Sequence, residues 1–191
     1  MYRLESNVPP LVKRAVNLAE QMHHAITCSL EAGRLLQLLA SHLQSGVVGE
    51  VGTGCGVAAA WIVSSLSAGT SFFTVESDPA QAAAASALFG SLLNVRVVQG
   101  DWRELLGNWH FSLLYAGKAS PRAEEPEMFV RALRLGGMLV LDGLTPQDRV
   151  PLELRAQLDP IREFFFNDSR LLATEILVSS QEAVLLATFL D

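Results

Sequence analysis

Residues 50–56 combine one carboxylate with three alternating glycines, in the order Glu-Val-Gly-Thr-Gly-Cys-Gly. An apolar strand-like run precedes them, and a helix-forming run, 57–63, follows. Glycines permit a tight turn and close approach of the backbone to a ligand, while a helix N-terminus offers free N–H groups. Glu50 would repel a pyrophosphate, but it suits a ligand with a positive end, such as the ammonium and sulfonium of S-adenosylmethionine (SAM). The turn therefore favours chemistry of methyl transfer.

A dinucleotide site is the main alternative for the same turn. Gly54-x-Gly56-x-x-Ala59 also satisfies the Gly-x-Gly-x-x-Gly/Ala pattern of dinucleotide-binding folds. Glu76 lies where such folds place the acid that binds ribose, and a SAM site would use it in the same way. Glu50 separates the two hypotheses, and so does the register, because a dinucleotide fold usually has its first glycine right at the strand end without an acid before it; both favour SAM. A glycine-rich turn without any ligand is the third, structural interpretation.

The composition limits the other function classes. The 191 residues are enough for one sizeable domain, half of them are apolar, and the net charge is −6. An acidic chain without a basic run is a poor nucleic-acid binder, and no apolar stretch approaches the roughly 20 residues of a membrane span. Residues 1–5 do not resemble the start of a signal peptide. With only Cys28 and Cys55, we expect two buried thiols in a cytoplasmic protein. The charge and the apolar pattern predict no nucleic-acid and no membrane partner.

The apolar pattern predicts alternating helices and strands. Pro9-Pro10 opens a first helix, which fades near His23-His24, and Ser29 caps a second. Further helices are predicted at 57–66, 79–89, 102–106 and 123–134, and strands at 47–51, 71–75, 95–99, 111–115 and 137–141. Strands separated by helices of about ten residues indicate parallel βαβ units. The predicted fold class is α/β, with a doubly wound sheet.

The tail departs from this alternation. A helix is predicted at 152–166, where Pro160 either interrupts it or marks a boundary. Two strand-like runs follow at 172–178 and 183–190. The four residues between these runs are too few for a parallel crossover, so they must form a hairpin. The expected architecture is a mostly parallel seven-stranded sheet that ends in an antiparallel hairpin. We expect one domain over 1–191, with a helical cap at 1–45 and an α/β core at 46–191.

Five segments now point to a family: SLEAGRLL at 29–36, EVGTGCG at 50–56, TVESDP at 74–79, VQGDW at 98–102 and LRLGGMLVLD at 133–142. With these elements the chain resembles the SAM-dependent methyltransferases of the Rossmann-like class. It is more closely similar to the small O-methyltransferases related to catechol O-methyltransferase and caffeoyl-CoA O-methyltransferase. The resemblance runs from about residue 27 to the C-terminus.

The resemblance implies a role for each residue of the SAM site. The glycine turn would surround the methionine part, with Glu50 near its ammonium, directly or through water. Glu76 would accept hydrogen bonds from both ribose hydroxyls, because two oxygens match a vicinal diol. Asp101 would take the adenine amine, and Trp102 would contact the ring or simply anchor the core. The expected cofactor-binding set is Glu50, Gly52, Thr53, Gly54, Gly56, Glu76, Ser77, Gly100, Asp101 and Trp102.

The catalytic half of the family pattern is poorly preserved. These O-methyltransferases usually bind a divalent cation through an acid after the fourth strand and an Asp-Asn pair after the fifth. Here Ala116 or Gly117 stands at the first place and Asp142-Gly143 at the second. One carboxylate cannot supply the three oxygen ligands that a hard cation asks of the protein. We therefore predict no catalytic metal.

Two residues remain as candidate catalytic groups. Asp142 would serve as a general base if burial raises its pKa, and Lys118 would act as a base or bind an anionic acceptor. Their structural interpretations are a turn acid and a solvated loop charge. His23 and His24 are in reach of the pocket only if the first helix forms a lid, and adjacent histidines are more often a surface feature.

The leading functional hypothesis is a metal-independent methyltransferase that uses SAM to methylate a small molecule, with oxygen as the acceptor atom by family resemblance. A SAM-binding sensor or degenerate homologue is the alternative, because the metal ligands are not preserved. An NAD-dependent oxidoreductase is the weaker alternative. The N-terminal helix would cover the pocket or form a contact in a possible homodimer.

Overall fold

The computed structural model describes residues 7–151 and 159–190 of the chain. Helices and strands alternate through this part of the chain. The helices are α1 Pro10–Gln21, α2 Leu30–Ser41, α3 Val57–Val63, α4 Pro79–Phe89, α5 Trp102–Asn108, α6 Pro126–Arg131 and α7 Pro160–Asn167. The strands are β1 Gly46–Val51, β2 Thr70–Glu76, β3 Val95–Gln99, β4 Phe111–Ala116, β5 Leu133–Leu144, β6 Leu171–Leu177 and β7 Ala183–Phe189.

The strands form one seven-stranded sheet in the order β3-β2-β1-β4-β5-β7-β6. Pairs among β1 to β5 are parallel, whereas β7 runs antiparallel to both β5 and β6. Residues 178–182 close the hairpin, in which the Val178 amide donates to the Glu182 carbonyl over 3.0 Å. The predicted mostly parallel sheet with an antiparallel hairpin at its end is confirmed.

Helices cover both faces of the sheet because its strands carry apolar side chains on both sides. Helices α1 to α4 pack with Val48 and Phe72 into one cluster, and α5 to α7 pack with other strand residues into a second. Side chains alternate along a strand, so Glu50, Thr74 and Tyr115 share the first face. The register places Glu50 opposite both Thr74 and Tyr115. A polar row thus crosses the carboxyl ends of three neighbouring strands.

Local signals fix most helix starts. Proline stands in the first turn of α1, α4, α6 and α7, where its missing N–H costs no hydrogen bond. Ser29, Asp78, Asp101 and Asp159 each accept a backbone N–H at the start of α2, α4, α5 and α7. These caps explain why helix starts were predicted more accurately than helix ends.

Two predicted elements differ from the structure. The helix predicted at 123–134 is shorter, Pro126–Arg131, because Leu133 pairs with Phe111 and begins β5. The prediction at 152–166 is divided: residues 152–158 lie outside the described residues, and Pro160 begins α7 instead of interrupting a helix. At Leu133 the pairing of strands, and at Pro160 the geometry of proline, overrides the helical spacing of apolar residues.

The N-terminal helix is part of the core. Its apolar face, Val12, Ala15, Val16 and Ala19, is almost completely buried, and α1 contacts α3 and α4. The face that was predicted as a possible dimer contact is therefore occupied by the chain itself. Both cysteines are buried free thiols, as expected. None of the helices in the described ranges has the length and apolarity that a bilayer span requires.

Candidate functional site

A cavity of about 410 Å³ opens at the carboxyl ends of β1 and β2. Open α/β sheets bind their ligands at this edge. The walls come from the turn after β1, the end of β2, residues 24–28 between α1 and α2, and residues of the loop after β4. Trp102 and Tyr115 add two aromatic rings to the wall. Of the N-terminal region that was predicted to cover the pocket, residues 24–28 and Ala19 line the cavity. The rest of α1 packs in the core.

The glycine turn has the backbone that its sequence predicts. Gly52, Gly54 and Gly56 have φ values of +86°, +52° and +82°, a region that L side chains rarely adopt. A Cβ at Gly54 would lie 2.9 Å from His24 Nε2, and one at Gly56 would lie 2.8 Å from the Phe89 ring. Gly56 therefore serves packing beneath the turn, whereas Gly52 and Gly54 line the cavity.

Glu50 lies beneath this turn. Its side chain is fully buried, and it is not among the residues of the cavity wall. The Thr74 hydroxyl donates to Glu50 Oε2 over 2.6 Å, and the Thr74 and Thr53 hydroxyls lie 2.5 Å apart. Glu50 Oε1 is buried without a protein partner in the described residues. The geometry does not bring Glu50 into direct contact with the cavity, so a contact with a ligand's ammonium remains a prediction and needs a bridging group.

Burial raises the pKa of Glu50 to about 8, a rise that Glu76 also favours and the Thr74 hydrogen bond opposes. The folded protein therefore prefers the protonated acid. The stability that this group contributes is fully present below the ordinary carboxyl pKa of about 4.5, and it is lost as the pH rises through about 8.

We expect Glu50→Gln to raise the free energy of unfolding relative to the parent protein at pH 8, and to leave it nearly unchanged at pH 5. Glutamine keeps an oxygen for the Thr74 hydroxyl and removes the buried charge. Urea denaturation at pH 5, 6, 7 and 8 measures the difference. Glu20→Gln is the matched control, because it removes an exposed carboxylate. The same offset at every pH would contradict the assignment.

Glu76 lies on the cavity wall and is only 9% exposed. Its Oε2 accepts the Gly54 amide over 2.7 Å, and its Oε1 accepts the Asp78 amide over 3.0 Å. A carboxylate oxygen has two lone pairs. Oε2 therefore keeps one for a ligand hydroxyl, whereas Oε1 also accepts the Ser77 hydroxyl over 3.4 Å, a long bond that a ligand hydroxyl would replace. The side chain that was predicted to bind a ribose is thus fixed at the glycine turn, with its carboxylate at the cavity.

The adenine side of the predicted site is only partly assembled. Ser77, Gly100 and Trp102 line the cavity. Asp101 does not; it is exposed and accepts the Arg103 amide over 2.8 Å, so it acts as the cap of α5. Its contact with an adenine amine stays a prediction. Trp102 lines the cavity and stacks on Phe129 with ring centroids 5.5 Å apart, so its ring is placed for either of the two predicted roles.

Tyr115 and Asp142 form a buried pair on the other side of the cavity. The Tyr115 hydroxyl donates to Asp142 Oδ2 over 3.0 Å, and the Gly143 amide donates to Oδ1 over 2.6 Å. Burial raises the pKa of Asp142 to about 6, with a further rise from Glu182 and opposition from Tyr115. Asp142 is fully buried and does not line the cavity, whereas Tyr115 does. The predicted base therefore reaches the cavity only through a tyrosine.

Arg122 is a functional candidate that the sequence analysis missed. Its guanidinium is 4% exposed and donates to the carbonyls of Ala116 at 3.0 Å, Gly117 at 3.1 Å and Asp142. Burial lowers the pKa of Arg122, and Asp142 opposes this shift. The buried guanidinium thus forms hydrogen bonds with carbonyls at the ends of both β4 and β5.

The remaining candidate side chains divide into one outside the cavity wall, Lys118, and two on it, His24 and Cys28. Lys118 is exposed and lies outside the cavity wall, beside Gly143; the structure does not place it where a base would act. His24 lines the cavity, contrary to the expectation of a surface histidine, and Cys28 lines it as well. Within residues 7–151 and 159–190, no three His, Cys, Asp or Glu side chains converge as a metal site would require.

Comparisons with known proteins identify the fold. No family model and no curated protein matches the sequence. Among solved structures, an O-methyltransferase from Bacillus cereus in complex with S-adenosylhomocysteine (SAH) is 20% identical, with a TM-score of 0.79 and coverage of 97% of this chain and 93% of that one. An O-methyltransferase of tomaymycin synthesis from Streptomyces achromogenes, in complex with SAM, is 20% identical, with a TM-score of 0.77 and coverage of 98% and 93%.

A more distant structure agrees. The SAH-bound methyltransferase from Podospora anserina is 17% identical, with a TM-score of 0.70 and coverage of 96% of this chain and 89% of that one. The chain therefore has the Rossmann-like methyltransferase fold, in the form found in small O-methyltransferases. The predicted resemblance is confirmed at the level of the fold.

Proposed function

We propose that this protein transfers a methyl group from SAM to a hydroxyl of a small molecule, without a catalytic metal. The observation that carries the proposal is the cavity beside the glycine turn, with the Glu76 carboxylate hydrogen-bonded to the Gly54 amide at its edge. Two structures that share the fold are O-methyltransferases, one bound to SAH and one to SAM. We further propose that residues 1–191 act as one unit, with 1–45 as a helical cap.

The residues present fit the cofactor. Gly52 and Gly54 lack a Cβ where a ligand would approach the turn. Glu76 offers a ribose the free lone pair of Oε2, and Oε1 is available where a ribose hydroxyl replaces the long Ser77 bond. Glu50 Oε1 is buried without a partner in the described residues; a water would bridge it to an ammonium, whose positive charge favours the carboxylate form of Glu50. Trp102 supplies an aromatic face beside Gly100. When bound, SAM supplies a methyl group on a sulfonium; the chain supplies binding, orientation and proton acceptance.

The strand order favours this proposal over the NAD-dependent alternative. A dinucleotide fold has the order 3-2-1-4-5-6 with parallel strands, whereas β7 here is inserted antiparallel between β5 and β6. The buried Tyr115–Asp142 pair at the cavity favours an enzyme over a non-catalytic SAM sensor. Burying an acid lowers stability, and acids buried beside a cavity are typical of functional sites.

Isothermal titration calorimetry tests the proposal with SAM, SAH and NAD, each with Mg²⁺ and again with EDTA. We expect micromolar binding of SAM and SAH that EDTA does not change, and no binding of NAD. Turnover of SAM to SAH with a panel of hydroxyl compounds then tests catalysis. Binding of NAD alone would replace the proposal by the oxidoreductase, and SAH binding without turnover on any acceptor would favour the sensor.

We also propose a homodimer in the cytoplasm that has no nucleic-acid or membrane partner. The dimer contact would use β6, an edge strand whose Leu172 and Leu177 are 68% and 61% exposed. Its one charged side chain, Glu175, is paired at 2.6 Å with Arg162, which also binds Asp159; the ion pair reduces charge repulsion between this edge and a second copy. Sedimentation velocity of the parent and of Leu172→Glu tests the contact; a monomeric parent would exclude it.

A further inference from the structure

The hydroxyl of Tyr115 has one proton, and that proton is already committed. It is donated to Asp142 Oδ2, and the other Asp142 oxygen accepts the Gly143 amide. The Tyr115 oxygen lies on the cavity side of this pair; a Cβ at Gly117, which lines the cavity, would be 3.2 Å from it. Because the proton points to Asp142, the lone pairs of the oxygen are what the cavity can use. Tyr115 can therefore accept a hydrogen bond from a ligand there.

We propose that Tyr115 is the catalytic residue that receives the proton of the acceptor hydroxyl and passes its own proton to Asp142. This inference rests on the proposed methyl transfer and deepens it. It replaces direct action by Asp142 or Lys118 with a two-residue relay. It also predicts which ligand group lies against Tyr115, namely a hydroxyl that donates a hydrogen bond.

The step balances in atoms and charge. The O–H bond of the acceptor breaks as its oxygen forms a bond to the methyl group, and the sulfonium becomes a neutral thioether. The released proton moves to Tyr115 Oη, while the former Tyr115 proton moves to Asp142 Oδ2. Tyr115 is neutral before and after the step, and Asp142 changes from carboxylate to acid. Before the next cycle the proton returns from Asp142 through Tyr115, which lines the cavity, to water that has replaced the product there.

The charges around the pair suit this task. Arg122 holds the carbonyl of Asp142 and favours its carboxylate form before the step, whereas Glu182 in the hairpin turn disfavours it. Cys28 and Glu50 face Tyr115 from the other side, and both disfavour a tyrosinate. A tyrosine that cannot remain ionised must pass its proton on at the moment it receives one. The surroundings therefore favour a relay over a stable tyrosinate base.

Binding to the SAH complex gives a readout that needs no turnover. Phenol and anisole serve as probes, since they differ by the hydroxyl proton that Tyr115 would accept. We expect the parent to bind phenol about tenfold more tightly than anisole, and Tyr115→Phe to bind both alike. Ser112→Ala is the matched control, because it removes a buried hydroxyl without a protein partner from the same strand. A parent without the preference, or a Tyr115→Phe variant that keeps it, would overturn the proposal.

Turnover separates proton transfer from positioning. With phenol, we expect Tyr115→Phe and Asp142→Asn to lower kcat by about 100-fold or more. With 4-nitrophenol, which is largely ionised at pH 8, the loss is expected to shrink to about tenfold or less, since no proton needs to be accepted. Equal losses for the two phenols, or no methyl transfer to either, would overturn the relay.

Failure of this inference is distinguishable from failure of the proposed function. If the parent binds neither SAM nor SAH, the proposed function fails before a phenol is added. If SAH binds and the phenol preference is absent, the relay alone is wrong. A variant that fails to fold shows itself by loss of SAH binding, and Asp142→Asn and Ser112→Ala then carry the comparison.

Discussion

Replacing Glu76 with glutamine is expected to weaken SAH binding by about 10- to 100-fold, since hydrogen bonds to a charged group contribute roughly 1.5–3 kcal/mol. The carboxylate holds the Gly54 amide at 2.7 Å and the Asp78 amide at 3.0 Å. It keeps one lone pair on Oε2 for a ribose hydroxyl, and a second hydroxyl would replace the long Ser77 bond to Oε1. Glutamine has a single acceptor oxygen, so it loses either an amide of the turn or a hydroxyl of the ligand. Calorimetric titration with SAH measures the change.

Asp78→Asn is the matched control for Glu76→Gln. Asp78 lies two residues further along and is exposed, and its side chain caps α4 by accepting the Gln81 amide over 2.9 Å. Asparagine is also a good N-cap residue, so this variant loses the same charge and keeps the local structure. We expect its SAH affinity to match the parent. Equal weakening in both variants would mean that overall charge, and not the Glu76 contact, determines binding.

The fold was predictable because local signals and the global pattern agree. Glycine at 52, 54 and 56, proline at helix starts, and the short turn before β7 each specify backbone geometry directly. Prediction was poorest near Leu133, where the apolar run suits helix and strand equally. Pairing of Leu133 with Phe111 decides in favour of the strand, and such long-range pairing leaves no local signal.

The site was predictable at the glycine turn and much less so elsewhere. Glu76 and Trp102 lie at the cavity because strand ends and the turns after them meet at one edge of a parallel sheet. Asp101 lies outside the cavity wall and caps α5, and capping is a local use that competes with ligand binding. Tyr115 has no local sequence signal of its own. The proposed role of Tyr115 as a proton acceptor depends on Asp142, 27 residues away, which only the β4–β5 pairing brings within 3.0 Å.

Arg122 is the feature that sequence alone could least predict, and its replacement is the second expected large effect. Arg122→Met should lower the free energy of unfolding by about 3 kcal/mol or more, because it leaves three buried carbonyls at the ends of β4 and β5 without their shared donor. In a loop rich in proline and charge, an arginine is ordinarily exposed. Urea denaturation at pH 7 measures the change.

The controls for Arg122 separate its buried role from the general loss of a positive charge. Arg131→Met removes an exposed arginine that pairs with Glu127 over 2.8 Å, and an exposed ion pair of this kind contributes about 0.5 kcal/mol. Arg122→Lys should recover most of the loss where its ammonium reaches the position of Nη1, since all three hydrogen bonds come from that one nitrogen and an ammonium also has three donors. A loss for Arg122→Met no larger than that for Arg131→Met would show that β4 and β5 hold their ends together without the guanidinium. The proposed relay would then need another group to fix Asp142 against Tyr115, since the Gly143 amide holds only one of its oxygens.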